Sequence, residues 1–230
     1  MKTRLLSVLA LAAVVMVLSA GASADTTPGL LIYDWGTGSF LYITDGGVND
    51  SDGPGNGSIT FVGSIGNFVL TVDVGQASPP LSANSADLSF SVTNTSKVAD
   101  TLAIVFSTAG YTTSGLSNNS IGGTQQGTLQ WGLWQDNSNT GCLSDTTCPG
   151  FNLFQHDLSG SPYSDTADVT VGNGGDPYAL EQSVWVHLDG TTGHNVTTGD
   201  YFLHVPEPAS FSLLAFGLIG LNGLRKKFLA

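Results

Sequence analysis

The chain has 230 residues, 41% of them hydrophobic and only 10% charged, with a formal net charge of −12. Between Asp25 and Leu224 the only Lys or Arg is Lys97, whereas all 18 Asp and Glu residues lie in that stretch. Nothing in such a domain neutralises phosphates, which excludes nucleic-acid binding. Its acidity favours solubility, repels other polyanions and attracts cations.

At the N-terminus, Lys2 and Arg4 precede an apolar run from Leu5 to Leu18, and Ala22-Ser23-Ala24 follows just before Asp25. This order predicts a secretory signal peptide over residues 1–24, with Ala22 and Ala24 forming the site for a signal peptidase. No Cys lies near that site, which argues against lipoprotein processing. Residues 25–204 then suffice for one well-buried core and read as a single domain.

Strand-like runs dominate that domain. The candidates are Leu30–Trp35, Ser39–Thr44, Ser58–Val62, Asn67–Val74, Ala86–Val92, Thr101–Ser107, Gly127–Trp134, Asn152–His156, Ala167–Val171, Leu180–Leu188 and Val196–Leu203. Several alternate with period two, which places one face inward. Leu88, Phe90 and Val92 form such a set, as do Leu129, Trp131 and Leu133, and Val184, Val186 and Leu188. Gly, Ser, Asn and Asp fill the gaps. Eleven short strands without a long amphipathic helix predict an all-β fold, a single antiparallel β-sandwich of jelly-roll-like kind.

Chemistry-bearing groups are sparse. Cys142 and Cys148 in CLSDTTC are placed by export in an oxidising compartment, where a structural disulfide is favoured over free thiols. The spacing does not suit zinc. The loop Asp45–Ser58, DGGVNDSDGPGNGS, offers oxygen ligands for calcium from Asp45, Asn49, Asp50, Asp52 and Asn56. Pro54 breaks the EF-hand spacing, so a solvated hairpin loop is the preferred reading and no metal or other cofactor is expected.

His156, His187, His194 and His204 form no motif, and His187 alternates with core positions, which puts it on a solvent face. There is no nucleophile elbow, and Glu181 is the only Glu before Glu207. A protein that is not an enzyme is expected. Trp131 has core parity, whereas Trp134 and Trp185 have the opposite parity and are the candidates for stacking on sugar rings, against the plainer reading that they pack beneath loops. The Thr pairs, Thr112-Thr113, Thr191-Thr192 and Thr197-Thr198, are too irregular for a flat ice-binding face. Sequons at Asn49, Asn56, Asn94, Asn118 and Asn195 mark polar surface.

The C-terminal end, residues 205–230, is an address label rather than part of a core. Pro206, Glu207 and Pro208 keep the chain extended. An uncharged run of 14 residues, Phe211 to Leu224, follows and ends in Arg225, Lys226 and Lys227. As a helix the run spans about 21 Å, short of the roughly 30 Å of a bilayer core. It therefore suits a transient inner-membrane anchor, with the cations as the cytoplasmic stop.

This tail resembles the PEP-CTERM sorting signal of exported bacterial proteins, also catalogued as the ice-binding protein C-terminal domain, a name that is no evidence of ice binding. The resemblance implies that an exosortase-type sorting protease recognises and removes the tail. It also implies a cell-surface or extracellular-matrix protein of structural or biofilm character, with exopolysaccharide as a partner. Residues 67–203 are similar in pattern to the β-rich body domains of such proteins. The alternatives are a carbohydrate-binding module using Trp134 or Trp185, and a secreted hydrolase.

Overall fold

The computed structural model describes residues 28–77, 85–141, 150–190 and 195–205. The signal peptide, Cys142 and Cys148, His194 and the tail from Pro206 onward lie outside the described residues. Twelve strands form: β1 (Gly29–Asp34), β2 (Ser39–Thr44), β3 (Ser58–Ile65), β4 (Phe68–Ala77), β5 (Ser85–Asn94), β6 (Asp100–Tyr111), β7 (Gly115–Thr124), β8 (Thr128–Asp136), β9 (Phe151–Ser159), β10 (Tyr163–Val171), β11 (Tyr178–Leu188) and β12 (Asn195–His204). There is no helix among the described residues.

The strands make two six-stranded antiparallel sheets. Sheet A has the order β2-β1-β6-β11-β8-β9, and sheet B has β10-β7-β12-β5-β4-β3. From β5 to β12 the chain crosses repeatedly between the sheets, and β5-β12-β7-β10 faces β6-β11-β8-β9. This is the double Greek-key winding of a jelly roll. The hairpins β1–β2 and β3–β4 widen one side of each sheet.

The three alternating sets read from the sequence all point between the sheets: Leu88, Val92, Leu129, Trp131, Leu133, Val184, Val186 and Leu188 are buried, and so is Phe90. The Trp131 ring meets Tyr201 edge-on at 5.0 Å and Phe154 at 4.8 Å. Aromatic rings prefer such T-shaped contacts because their edges are positive and their faces negative.

One strand was not predicted. β7, GLSNNSIGGT, carries little β propensity and turns Ser117 and Asn119 inward, so it shows no hydrophobic alternation. Pairing with β10 and β12 makes it a strand, and hydrogen bonds replace apolar packing. Asn119 Nδ2 donates to the Ala167 carbonyl at 3.2 Å, and Tyr201 Oη donates to Asn119 Oδ1 at 3.2 Å.

Aspartates serve as fixed acceptors in place of salt bridges. Asp34 accepts from the N–H groups of Thr37 and Asn67, and Asp100 from Gly36 N–H and Asn67 Nδ2. These bonds tie the β1–β2 turn of sheet A to the β3–β4 turn of sheet B. His156 Nδ1 lies 2.7 Å from Asp165 Oδ2, a contact that is an ion pair only when the imidazole is protonated.

Candidate functional site

The outward surface of sheet A carries a cross-strand row set by register. Phe40 lies opposite Tyr33, Tyr33 opposite Ala103, Ala103 opposite Trp185, Trp185 opposite Gln130 and Gln130 opposite Asp157. The row crosses all six strands, about 24 Å at roughly 4.8 Å per strand. It is aromatic toward β2 and polar toward β9.

Trp35 completes the aromatic half. Its backbone N–H bonds the Thr101 carbonyl just past the end of β1, at 3.0 Å. Its indole meets Tyr33 edge-on at 4.8 Å and stacks on Trp185 at 5.6 Å with 26° between the planes. Tyr33 and Trp185 stand two strands apart, so the Trp35 ring bridges the strand that bears only Ala103. Trp35 is 53% exposed and Phe40 55%, so both offer ring surface to solvent. Polar groups border Trp185: Thr101 Oγ1 and His187 Nδ1 lie 2.8 Å apart, and Gln130 Nε2 donates to Asp157 Oδ1 at 2.7 Å.

The two tryptophans singled out in the sequence are both half-buried, and the fold keeps them apart. Trp134 on β8 lies opposite Glu181, four residues along β11 from Trp185, or about 13 Å. Trp185 instead gains Trp35 as its partner. Trp35, Tyr33 and Phe40 escaped the sequence reading. The signal was present in YDWGTGSF, where the short turn puts Tyr33 and Phe40 on one face.

Beside Trp134 lies an unusual acid pair. Glu181 is 0% exposed, and among the described residues neither carboxyl oxygen has a hydrogen-bond partner. Burial, with the negative charge of Asp136 nearby, pushes its carboxyl up to about 7. Asp136 is its opposite. Burial raises it, but five donors outweigh that and hold it at about 2. These are N–H and Oγ of Ser138, N–H and Oγ1 of Thr140, and Gly141 N–H.

The outward surface of sheet B has a different chemistry. An open depression of about 340 Å³ lies across β4, β5, β12 and β7, edged by Thr71, Asp73, Ser89, Ser91, Thr198 and Asp200. Asp87, one step along β5 from Ser89, is pushed up to about 6 by desolvation and by its hydrogen bond to Asp200.

The remaining candidates sit in the following contacts. In the Asp45–Ser58 loop, Asp45 accepts from Gly55 and Gly57 N–H, and Asp50 from Gly46, Asp52 and Thr60 N–H. Asn49 takes a positive φ of 74°, and Asn56 donates to Asp52 at 3.0 Å. Among the described residues no three His, Cys, Asp or Glu side chains gather as a metal site. His156 Nδ1 and Trp131 Nε1 both bond Asp165 Oδ2, at 2.7 and 3.1 Å. His187 is solvent-facing as expected, and His204 is exposed near the end of β12.

Similar solved structures include the K1 cleaved adhesin domain of Lys-gingipain from Porphyromonas gingivalis W83. It is 9% identical, covers 65% of this chain and 99% of its own, and has a TM-score of 0.34. TmCBM61 in complex with beta-1,4-galactotriose is 11% identical, covers 60% of this chain and 88% of its own, and has a TM-score of 0.33. The CBM22-1 xylan-binding domain from Paenibacillus barcinonensis Xyn10C is 10% identical, covers 66% and 88%, and has a TM-score of 0.30. Likeness this distant says nothing about what the present chain binds. No curated protein matches the chain in sequence. The PEP-CTERM protein-sorting motif, by contrast, matches residues 204–226, from the last residue of β12 through Lys226. That motif implies export, transit through a membrane-anchored stage to the surface, and an exosortase as the processing partner. The chain is a carrier of the PEP-CTERM protein-sorting motif.

Proposed function

We propose that the chain is an exported surface or matrix protein whose sandwich contacts exopolysaccharide by binding rather than by catalysis. The sorting motif at residues 204–226 supports the delivery half of this reading. The binding half rests on one observation: the exposed Trp35 indole stacked on Trp185, at the aromatic end of a row whose other end is polar. Pyranose rings present C–H faces that pack on indole and hydroxyl edges that bond Gln and Asp side chains. A surface with almost no Lys or Arg disfavours polyanionic glycans and leaves neutral or cationic ones.

The delivery half is tested by the intact mass of protein recovered outside the cell. Loss of Met1–Ala24 and of the segment after Pro208 is expected; retention of Arg225-Lys226-Lys227 in the membrane fraction would refute it. The binding half is tested by affinity electrophoresis in the producing organism's exopolysaccharide. Trp35→Ala is expected to weaken retardation about tenfold, equivalent to about 1.4 kcal/mol. Unchanged mobility would leave a purely structural matrix role.

A further inference from the structure

The depression on sheet B has a cause in the sequence. Gly123 and Gly199, paired across β7 and β12, face inward. A Cβ on Gly123 would lie 2.7 Å from Tyr163 Oη, and one on Gly199 would lie 2.2 Å from Tyr163 Oη and 2.4 Å from Phe90 Cζ. Without those carbons the two strands settle onto Phe90 and Tyr163, and Tyr163 Oη bonds the Thr198 carbonyl at 2.9 Å. The outer surface is therefore sunken at this point. Gly122, opposite Asp200, faces outward into open space, where a side chain would meet nothing closer than 3.7 Å. The hollow is open rather than enclosed, so it takes one face of a ligand instead of surrounding it.

The floor of this hollow is mostly apolar surface, and hydroxyls and carboxylates stand at its edge. Thr71, Ser89, Ser91 and Thr198 can each donate or accept. Asp73 and Asp200 flank Ser89 from either side, about 10 Å apart across β5. Ser89 Oγ donates to Asp200 Oδ1 at 2.9 Å, and Thr60 Oγ1 donates to Asp73 Oδ1 at 3.0 Å. Asp87, pushed up to about 6 by burial and by Asp200, adds a third carboxyl that is only partly charged at pH 6. Among the described residues the only Lys or Arg is Lys97, and it is not part of the hollow's lining. The hollow offers no three-ligand metal cluster. Its complement is a ring that carries hydroxyls and one positive charge.

We propose that this hollow binds an amino sugar through its protonated amine, with Asp200 and Asp73 as the charge partners and the Gly122 opening as the seat of the ring. The site is separate from the Trp35 row, which lies on the other sheet, and its ligand class is narrower. Binding of a glucosamine unit places the ammonium among the carboxyls, where a charge-assisted bond is strongest.

The test uses the protein recovered from outside the cell, titrated calorimetrically at pH 6 with a glucosamine hexamer and with its fully N-acetylated counterpart. The amine form is expected to bind at least tenfold more tightly. Asp200→Asn is expected to weaken it tenfold, as is Gly122→Val, which fills the hollow without changing charge. Asp176→Asn removes one charge from an exposed turn and is expected to leave affinity unchanged, as is Trp35→Ala. Equal affinity for the two hexamers overturns the proposal, and so does an equal loss in Asp200→Asn and Asp176→Asn, which reports bulk attraction to an acidic protein. Loss in Trp35→Ala alone assigns the sugar to sheet A and also overturns it.

Discussion

Replacing Glu181 with Gln should make the protein more stable at alkaline pH and leave it unchanged at acid pH. In the unfolded chain this carboxyl titrates at about 4.5, and in the fold at about 7. Below 4.5 it is neutral in both states and contributes no pH dependence. Between 4.5 and 7 the unfolded state sheds the proton while the folded state keeps it, so stability falls as pH rises, and above 7 the loss levels off. At 1.36 kcal/mol per pH unit the full loss is about 3 kcal/mol. For a domain of this size that is a Tm difference of roughly 6–12 °C. Gln has the same shape and no charge, so the variant lacks this slope. Urea unfolding followed by tryptophan fluorescence at pH 5, 6, 7 and 8 measures it. The difference between variant and parent cancels Asp87, whose raised carboxyl adds a slope of the same sign. Parallel curves across the whole range would refute the reasoning, as would a Glu181→Gln protein less stable at pH 8.

Asp136→Asn removes the charge that five donors converge on and should cost about 2–4 kcal/mol at pH 7, read by urea unfolding. It should also lower the Glu181 carboxyl, visible as a shift of the pH slope to lower pH. Trp131→Ala opens a cavity between the sheets against Tyr201 and Phe154 and should cost about 3–5 kcal/mol by the same measurement. Because the Asp45 and Asp50 carboxylates already serve backbone N–H groups, the Tm should agree in calcium and in chelator; a calcium-dependent rise would reassign the Asp45–Ser58 loop as a cation site.

Strands that face a dry core announce themselves by alternation. Leu88-Phe90-Val92 and Val184-Val186-Leu188 were legible because burial demands an apolar residue at every second position. Each of the eleven candidate runs overlaps a strand, with Trp35, Asn67 and Gly127 falling just outside and other ends extended by pairing that local sequence does not encode: β6 runs on to Tyr111 and β10 begins at Tyr163. β7 was illegible because Ser117 and Asn119 fill its inward positions, and a polar residue inside reads as a polar residue outside until its hydrogen-bond partner is known.

The sorting tail was the part determined by sequence alone. Its recognition depends on order along the chain: the Pro-Glu-Pro motif, the apolar run and the cations need no distant partner to carry their meaning. The binding surfaces are the reverse case. Trp35 and Trp185 are 150 positions apart in the chain, and only the β1–β6–β11 register brings their rings to 5.6 Å. Gly123 and Gly199 read as ordinary turn-formers until cross-strand pairing sets them over Phe90 and Tyr163. The same holds for Glu181, whose raised carboxyl depends on burial and on Asp136 of the neighbouring strand. Local order can specify an address, but a site assembled from strands far apart in sequence exists only once long-range pairing has fixed their register.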